Sequence, residues 1–204
     1  MTNTHKILLL CIIFACSYFG YAVWQLKQEL HGVYRVDDKY VYGPADADLV
    51  VVDFNKYACD ACRTLHPIIM EAIKRDGKVR YIPRIVTFGK TWFETLSAAV
   101  YAAGEQGKFL EMHNTLYDNW PVRDHDTLFL HAKRIGLDIE KLTRDMSNPE
   151  LRERAREDQL YFEAWALGRT PALLVGEGKT IYIYDPEKGL PTVDDILEKF
   201  NQVR

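Results

Sequence analysis

The chain has 204 residues, 48% hydrophobic and 27% charged, enough for one globular domain or one domain carrying an insertion. A formal net charge of −3 gives no basic footprint for nucleic acid. The sequence carries no tandem repeat or low-complexity run, and its charges are spread as on a solvated surface.

The first segment stands apart. Residues 7–24 read ILLLCIIFACSYFGYAVW, without a charge, between Lys6 and Lys27. As a helix such a run covers roughly 27 Å, close to the hydrocarbon thickness of a bilayer. The expected role is an uncleaved signal anchor with Tyr21 and Trp24 at the interface. A cleaved signal peptide, using the small residues of Gly20-Tyr21-Ala22, is the alternative. A lipoprotein site at Cys16 fits less well, because bulky Phe14 falls inside it. The rest of the chain is thus expected on the extracytoplasmic (periplasmic) side, held to the cytoplasmic membrane by residues 7–24. Cys11 and Cys16 lie in the apolar run, which leaves Cys59 and Cys62 as the one exported pair. Two cysteines do not make a disulfide-stapled scaffold.

Residues 25–42 are expected to form a linker and an N-terminal β segment, with β-rich stretches at 33–36 and 40–42. Gly43-Pro44 marks a turn. Residues 49–54, LVVVDF, read as a strand buried on both faces, interrupted by one acid, Asp53. A buried carboxylate is costly unless it has a partner, a raised pKa or a task. Cys62, Leu65, Ile69 and Ala72 then recur at helical spacing over 59–74, with Pro67 placed to kink the helix. Residues 79–86, VRYIPRIV, predict a second strand whose Pro83 points to an edge, a bulge or an early end. From 92 to 167 the pattern is helical throughout. β character returns at 172–175 and 180–184 around Gly176-Glu177-Gly178, a hairpin signal. A final helix starts at Thr192, with Asp195 in capping position and Val193, Ile196, Leu197, Phe200 and Val203 on one stripe. The order predicts an α/β fold: a four-stranded core in two halves, 43–91 and 168–204, around an all-helical insertion, 92–167.

A CxxC at a helix start has a specific chemistry. Unpaired backbone N–H groups and the helix dipole favour negative charge there, so the Cys59 thiolate is stabilised. Cys59 is the expected nucleophile and Cys62, one turn on, the resolving thiol. The competing reading is a non-catalytic soft-metal module in which Cys59, Cys62 and His66 hold copper or zinc. Closed zinc sites normally draw on a second Cys or His pair, and none of the other histidines shows ligand-like spacing. No organic cofactor motif is present: no GxGxxG, Walker loop, GxSxG or HExxH.

Val52-Asp53-Phe54, the CxxC and Pro67 resemble the active-site strand and kinked helix of the thioredoxin superfamily. Gly168-Arg169-Thr170-Pro171, followed by a strand, resembles that family's cis-proline loop. With the helical insertion the likeness narrows to DsbA-like thiol-disulfide oxidoreductases. Phe54, Tyr57, Cys59, Cys62, His66 and Pro67 match the FxxYxCxxC…His-Pro pattern of the single-domain, often membrane-anchored branch, and residues 102–119 resemble its helices. The resemblance, from about Gly43 onward, implies a thioredoxin fold with a helical insertion. It makes Asp53 the buried proton acceptor for Cys62; Lys56 is near enough in sequence to be its charge partner but reads better as an exposed lysine. It makes Pro171 a cis-proline against the disulfide, and Thr170 a backbone contact for substrate. It also implies cysteine-containing exported proteins as substrates and a quinone-linked membrane oxidase as redox partner. A reductase or isomerase served by a membrane electron donor is the alternative. The chain departs from strongly oxidising DsbA proteins by carrying Asp60 and Ala61, in place of proline and histidine, between the cysteines. Asp60 should oppose the Cys59 thiolate and Arg63 partly offset it, so these three positions are the expected redox-tuning set.

Overall fold

A computed structural model describes residues 3–204, with side chains from Cys11 onward apart from Leu26 and Glu29. The first helix, α1, runs unbroken from Asn3–Gly32. Residues 25–32 are therefore helix and not linker, as their content of Gln, Leu, Lys and Glu allows. Among the described residues no helix is long and apolar enough to cross a membrane. The described part of the expected anchor begins at Cys11, which leaves it short of the roughly 20 apolar residues a span requires. Residues 7–10 of that run lie outside the described side chains. Every residue from 11 to 25 is exposed.

The β segment expected over 33–42 does not form strands. Asp38–Tyr40 is a single 3-10 turn, and Tyr42 makes only an isolated bridge to Tyr81. Arginine side chains take the place of a partner strand: Arg84 Nη2 donates to the Val33 carbonyl at 2.6 Å, and Arg80 Nη2 to that of Val36 at 3.4 Å.

Four strands make one sheet. β1 (Leu49–Asn55) and β2 (Val79–Ile85) pair in parallel, β3 (Ala172–Val175) runs antiparallel to β1, and β4 (Thr180–Ile183) antiparallel to β3. The order is β2-β1-β3-β4. Pro83 is thus in an edge strand, where a missing N–H is tolerated. α2 (Asp60–Asp76), with Pro67 inside it, connects β1 to β2. The turn between β3 and β4 puts Gly176, Glu177 and Gly178 all at positive φ, which two of the three can adopt without a Cβ penalty.

Between the halves lie five helices: α3 (Thr91–Gly104), α4 (Phe109–Asp118), α5 (His125–Arg134), α6 (Ile139–Met146) and α7 (Pro149–Ala164). α8 (Val193–Val203) closes the chain with the expected capping box between Thr192 and Asp195. Alternation along the strands sorts the core into layers. Val51, Tyr81 and Leu173 face Leu65 and Ile69 of α2 and Phe200 of α8. Val52, Phe54 and Leu174 face Phe162 of α7 on the other side. A third cluster fills the helical insertion and includes Tyr57 and Cys62, so the insertion's core reaches the cysteine pair.

Candidate active site

β1 ends at Asn55, and the chain turns into α2 with Cys59 as its N-cap. Cys59 and Cys62 form a disulfide across one helical turn, Cα to Cα 5.2 Å. Cys59 is half-buried and Cys62 buried. The Cys62 N–H donates to Cys59 Sγ at 3.1 Å, so a thiolate at Cys59 would find a first-turn donor already aimed at it. Asp60 is exposed, and Arg63 donates to it at 2.5 Å, which partly offsets the charge set beside Cys59.

The Thr170–Pro171 bond is cis. Cys59 Sγ lies 3.7 Å from the Thr170 carbonyl oxygen, although the two are 111 residues apart in sequence. The loop before β3 therefore borders the exposed sulfur.

Asp53 occupies the α2-facing side of β1, in register with Pro83 and Leu173. Its carboxyl is 2% exposed and accepts from the Tyr81 hydroxyl at 2.7 Å and from Asn55 Nδ2 at 3.3 Å. Burial pushes its pKa up to about 6, with those two hydrogen bonds opposing the rise. Its second oxygen, Oδ1, has no partner among the described residues. Lys56 is not its counter-ion: the ammonium lies over the Phe88 ring, 4.8 Å from its centroid.

His66 packs against α4. Its Nε2 is 2.8 Å from Asn114 Oδ1, and its ring lies against Tyr117 and His113 at 4.9 and 5.1 Å between centroids. Among the described residues no group of three His, Cys, Asp or Glu side chains is placed to hold a metal ion. Burial lowers the His66 pKa, with Asn114 and Asp118 pulling the other way, and lowers that of His113 far more. His113 Nδ1 meets the Tyr57 hydroxyl at 3.0 Å.

Of the residues expected from the sequence, Cys59 and Cys62 are bonded and the Thr170 carbonyl lies 3.7 Å from Cys59 Sγ, while the contacts of Asp53 are to Tyr81 and Asn55. Tyr81, which donates to Asp53, and Asn114 and Tyr117, which meet His66, carry no signal of these contacts in the sequence. His113 and Tyr117 share the apolar stripe of α4 with Phe109 and Leu116 and read there as ordinary core.

Residues 35–195 match the family described as thioredoxin. Among solved structures, a thioredoxin-like oxidoreductase from Silicibacter pomeroyi superposes with TM-score 0.72 at 23% identity, over 86% of this chain and 96% of that one. The thiol-disulfide exchange protein alpha-DsbA2 from Wolbachia pipientis superposes with TM-score 0.74 at 18% identity, over 89% and 94%. The probable disulfide bond formation protein D of Bacillus anthracis is 23% identical over 180 residues, 78% of this chain and 82% of that protein. A Na(+)/H(+) antiporter NhaA 1 of Salinispora arenicola is 26% identical over 141 residues, 68% of this chain, but the chain spans only 22% of that antiporter's length. This chain belongs to the thioredoxin family, and its fold is the one shared by those solved structures.

Proposed function

We propose that the protein is an exported, membrane-anchored thiol-disulfide oxidoreductase that donates the Cys59–Cys62 disulfide to cysteines of extracytoplasmic proteins. The observation that carries the chemistry is the half-buried Cys59 sulfur at the start of α2, bonded to Cys62 and bordered by the Thr170 loop. Cys59 is the electrophile in the oxidised state and the nucleophile in the reduced one. A substrate thiolate attacks Cys59 Sγ, a substrate–Cys59 disulfide forms, and the Cys59–Cys62 bond breaks with its electron pair on Cys62. Asp53 supplies the proton that leaves Cys62 as a thiol. A second substrate thiolate then attacks the substrate sulfur of the mixed disulfide and releases Cys59 as a thiolate, so the substrate is oxidised by two electrons and the protein reduced by two. The Thr170 backbone offers hydrogen bonds to an extended substrate chain beside the sulfur. Asp60, Ala61 and Arg63 set the local charge at Cys59. Reoxidation falls to a membrane quinone-linked partner.

Anchoring rests on α1: residues 7–24 carry no charge, the helix is continuous from Asn3 to Gly32, and its large apolar side chains from Ile12 to Trp24 are exposed. An exposed apolar stretch of that kind needs a cover, and a bilayer is the cover its length fits.

The test is the reduction potential of the full chain in detergent, equilibrated in graded glutathione buffers with the thiols trapped and counted. A disulfide donor gives a value near about −120 mV, while about −200 mV or below replaces the donor with a reductase or isomerase. A pair that does not cycle removes the redox reading.

A further inference from the structure

The two edges of the sheet are not treated alike. An edge strand presents a row of unpaired N–H and C=O groups, which soluble proteins blunt with proline, charge or a cover. On β2, every outward amide from Tyr81 to Ile85 is accounted for. Tyr81 exchanges both backbone bonds with Tyr42, at 3.0 and 2.7 Å, Pro83 has no N–H, and the Ile85 N–H donates to Asp158 at 2.8 Å.

β4, the opposite edge, is left open. The Tyr184 N–H donates to the Pro171 carbonyl at 3.0 Å, and β4 runs antiparallel to β3 with Tyr182 opposite Leu173. Alternation then turns the backbone groups of Thr180, Tyr182 and Tyr184 toward β3, and those of Ile181 and Ile183 outward. Neither outward amide meets a backbone acceptor among the described residues. The strand, Thr-Ile-Tyr-Ile, carries no charge and no proline. Ile181 and Ile183 stand opposite Leu174 and Ala172, so they extend that apolar face of the sheet to its rim, where they are 45% and 39% exposed. A short, uncharged, apolar edge of this kind is a pairing surface.

What fits it is a second copy of itself. Two β4 strands paired antiparallel about a two-fold axis must set outward residues opposite outward residues, so the possible registers differ by steps of two. In the register centred on Tyr182, Ile181 faces Ile183 of the second copy and exchanges both backbone bonds with it. Tyr182 faces Tyr182, and Lys179 faces Asp185. The isoleucines of both copies then meet on one face, and the opposite charges that flank the strand pair at both ends. A step one way puts Lys179 against Ile183, and a step the other way puts Asp185 against Ile181, each a charge facing an apolar side chain. Within one chain the partners of Lys179 and Asp185 are long-range ones: the Val203 carbonyl at 3.4 Å and the Lys188 ammonium at 3.6 Å. Glu177 and Glu187, the like charges of the Tyr182 register, lie in the turns beyond the paired residues.

We propose that two copies of this chain associate through their β4 edges, in the register centred on Tyr182, to make one continuous sheet of four strands from each copy. An edge of this length gives a weak, concentration-dependent dimer. The proposal does not depend on the thiol chemistry.

Sedimentation equilibrium of the oxidised full chain in detergent, over a range of concentrations, reads the association. The unaltered chain should show a monomer–dimer equilibrium. Lys179→Asp and Asp185→Lys each replace both opposite-charge pairs by like-charge pairs, and each should raise the dissociation constant about tenfold. The double variant, with the two charges exchanged, should restore it. Ile181→Lys sets a charge on the open edge and should leave monomer throughout. Restoration in the double variant is a result that neither damaged folding nor a dimer made through α1 would give. An unaltered chain that stays monomeric overturns the proposal. So does a dimer that Ile181→Lys leaves intact, or a double variant that binds no tighter than the single ones.

Discussion

Asp53 makes the stability of the protein depend on pH. Its folded pKa, about 6, lies above the model-compound value of 3.8 because burial penalises the charged form. Between those two values the folded state holds a proton that the unfolded state has released, so stability falls as pH rises through this window. The loss amounts to about 3 kcal/mol and is complete above the folded value. Asp53→Asn removes the ionisation, so the variant should be more stable than the parent by about 3 kcal/mol at neutral pH, and equal to it near the acid end of the window. Denaturant titrations of the oxidised chain across that range measure this; a gap that does not vary with pH would contradict it. If Asp53 exchanges a proton with Cys62 as proposed, the same substitution should slow Cys62 attack. Stability given up for a reactive group is a familiar pattern at functional sites.

At the level of elements, the helical insertion is tied to the sheet by one buried ion pair. Arg84 of β2 meets Asp158 of α7 at 3.0 Å, and Asp158 also accepts from the Ile85 N–H at 2.8 Å and the Tyr101 hydroxyl of α3 at 2.9 Å. Burial pushes the Asp158 carboxyl up, against the pull of Arg84 and these donors. The carboxylate joins β2, α3 and α7 at one point. Asp158→Asn would leave the Arg84 guanidinium buried without its counter-charge, which costs about 3–5 kcal/mol. The expected result is a lower urea midpoint, and a double variant carrying apolar residues at both positions should recover much of the loss. If Asp158→Asn leaves the midpoint unchanged, the pair does not fasten the insertion. α2 shows a second element-scale arrangement: its N-terminus presents Cys59, while Leu65 and Ile69 hold it against the sheet. The reactive end is thereby fixed by the buried end.

For the molecule as a whole, α1 sets the question of where the site works. The described side chains from 11 to 25 touch no core, and the globular part covers none of them. In cells the full chain should stay with the membrane pellet through alkaline carbonate extraction. Arginines at Ile13 and Ser17 cost about 2.5–3.5 kcal/mol each near a helix centre and should shift the protein toward the soluble fraction. Release of the unaltered chain by carbonate would sink the anchor. The rest of the molecule is a sheet with α2 and α8 on one face and α7 on the other, and the insertion's core comes down onto the cysteine pair. That arrangement encloses the Cys62 side of the disulfide and leaves the Cys59 side open to a substrate.

What was legible in the sequence was whatever depends on neighbours a few residues apart. The run LVVVDF, the i, i+3, i+4 stripe through Cys62, Leu65 and Ile69, the Gly176-Glu177-Gly178 turn and the Thr192–Asp195 box are local signals, and each forms the element it predicts. The CxxC at a helix start is local as well, so the chemistry at Cys59 could be read before any coordinates. Residues 33–42 misled because β-branched and aromatic residues fit a half-buried loop as well as a strand, and whether they pair depends on Arg80 and Arg84 some 40–50 positions later. The buried polar contacts were invisible for the same reason: Asp53 meets Tyr81 across 28 residues, His66 meets Asn114 across 48 and Tyr57 meets His113 across 56. Periodicity reports which face of an element is apolar, but not which buried polar group on that face another element will satisfy. Only tertiary packing decided that, because the closing of α2 over the sheet and of the insertion beside it removed these groups from water and set them against one another.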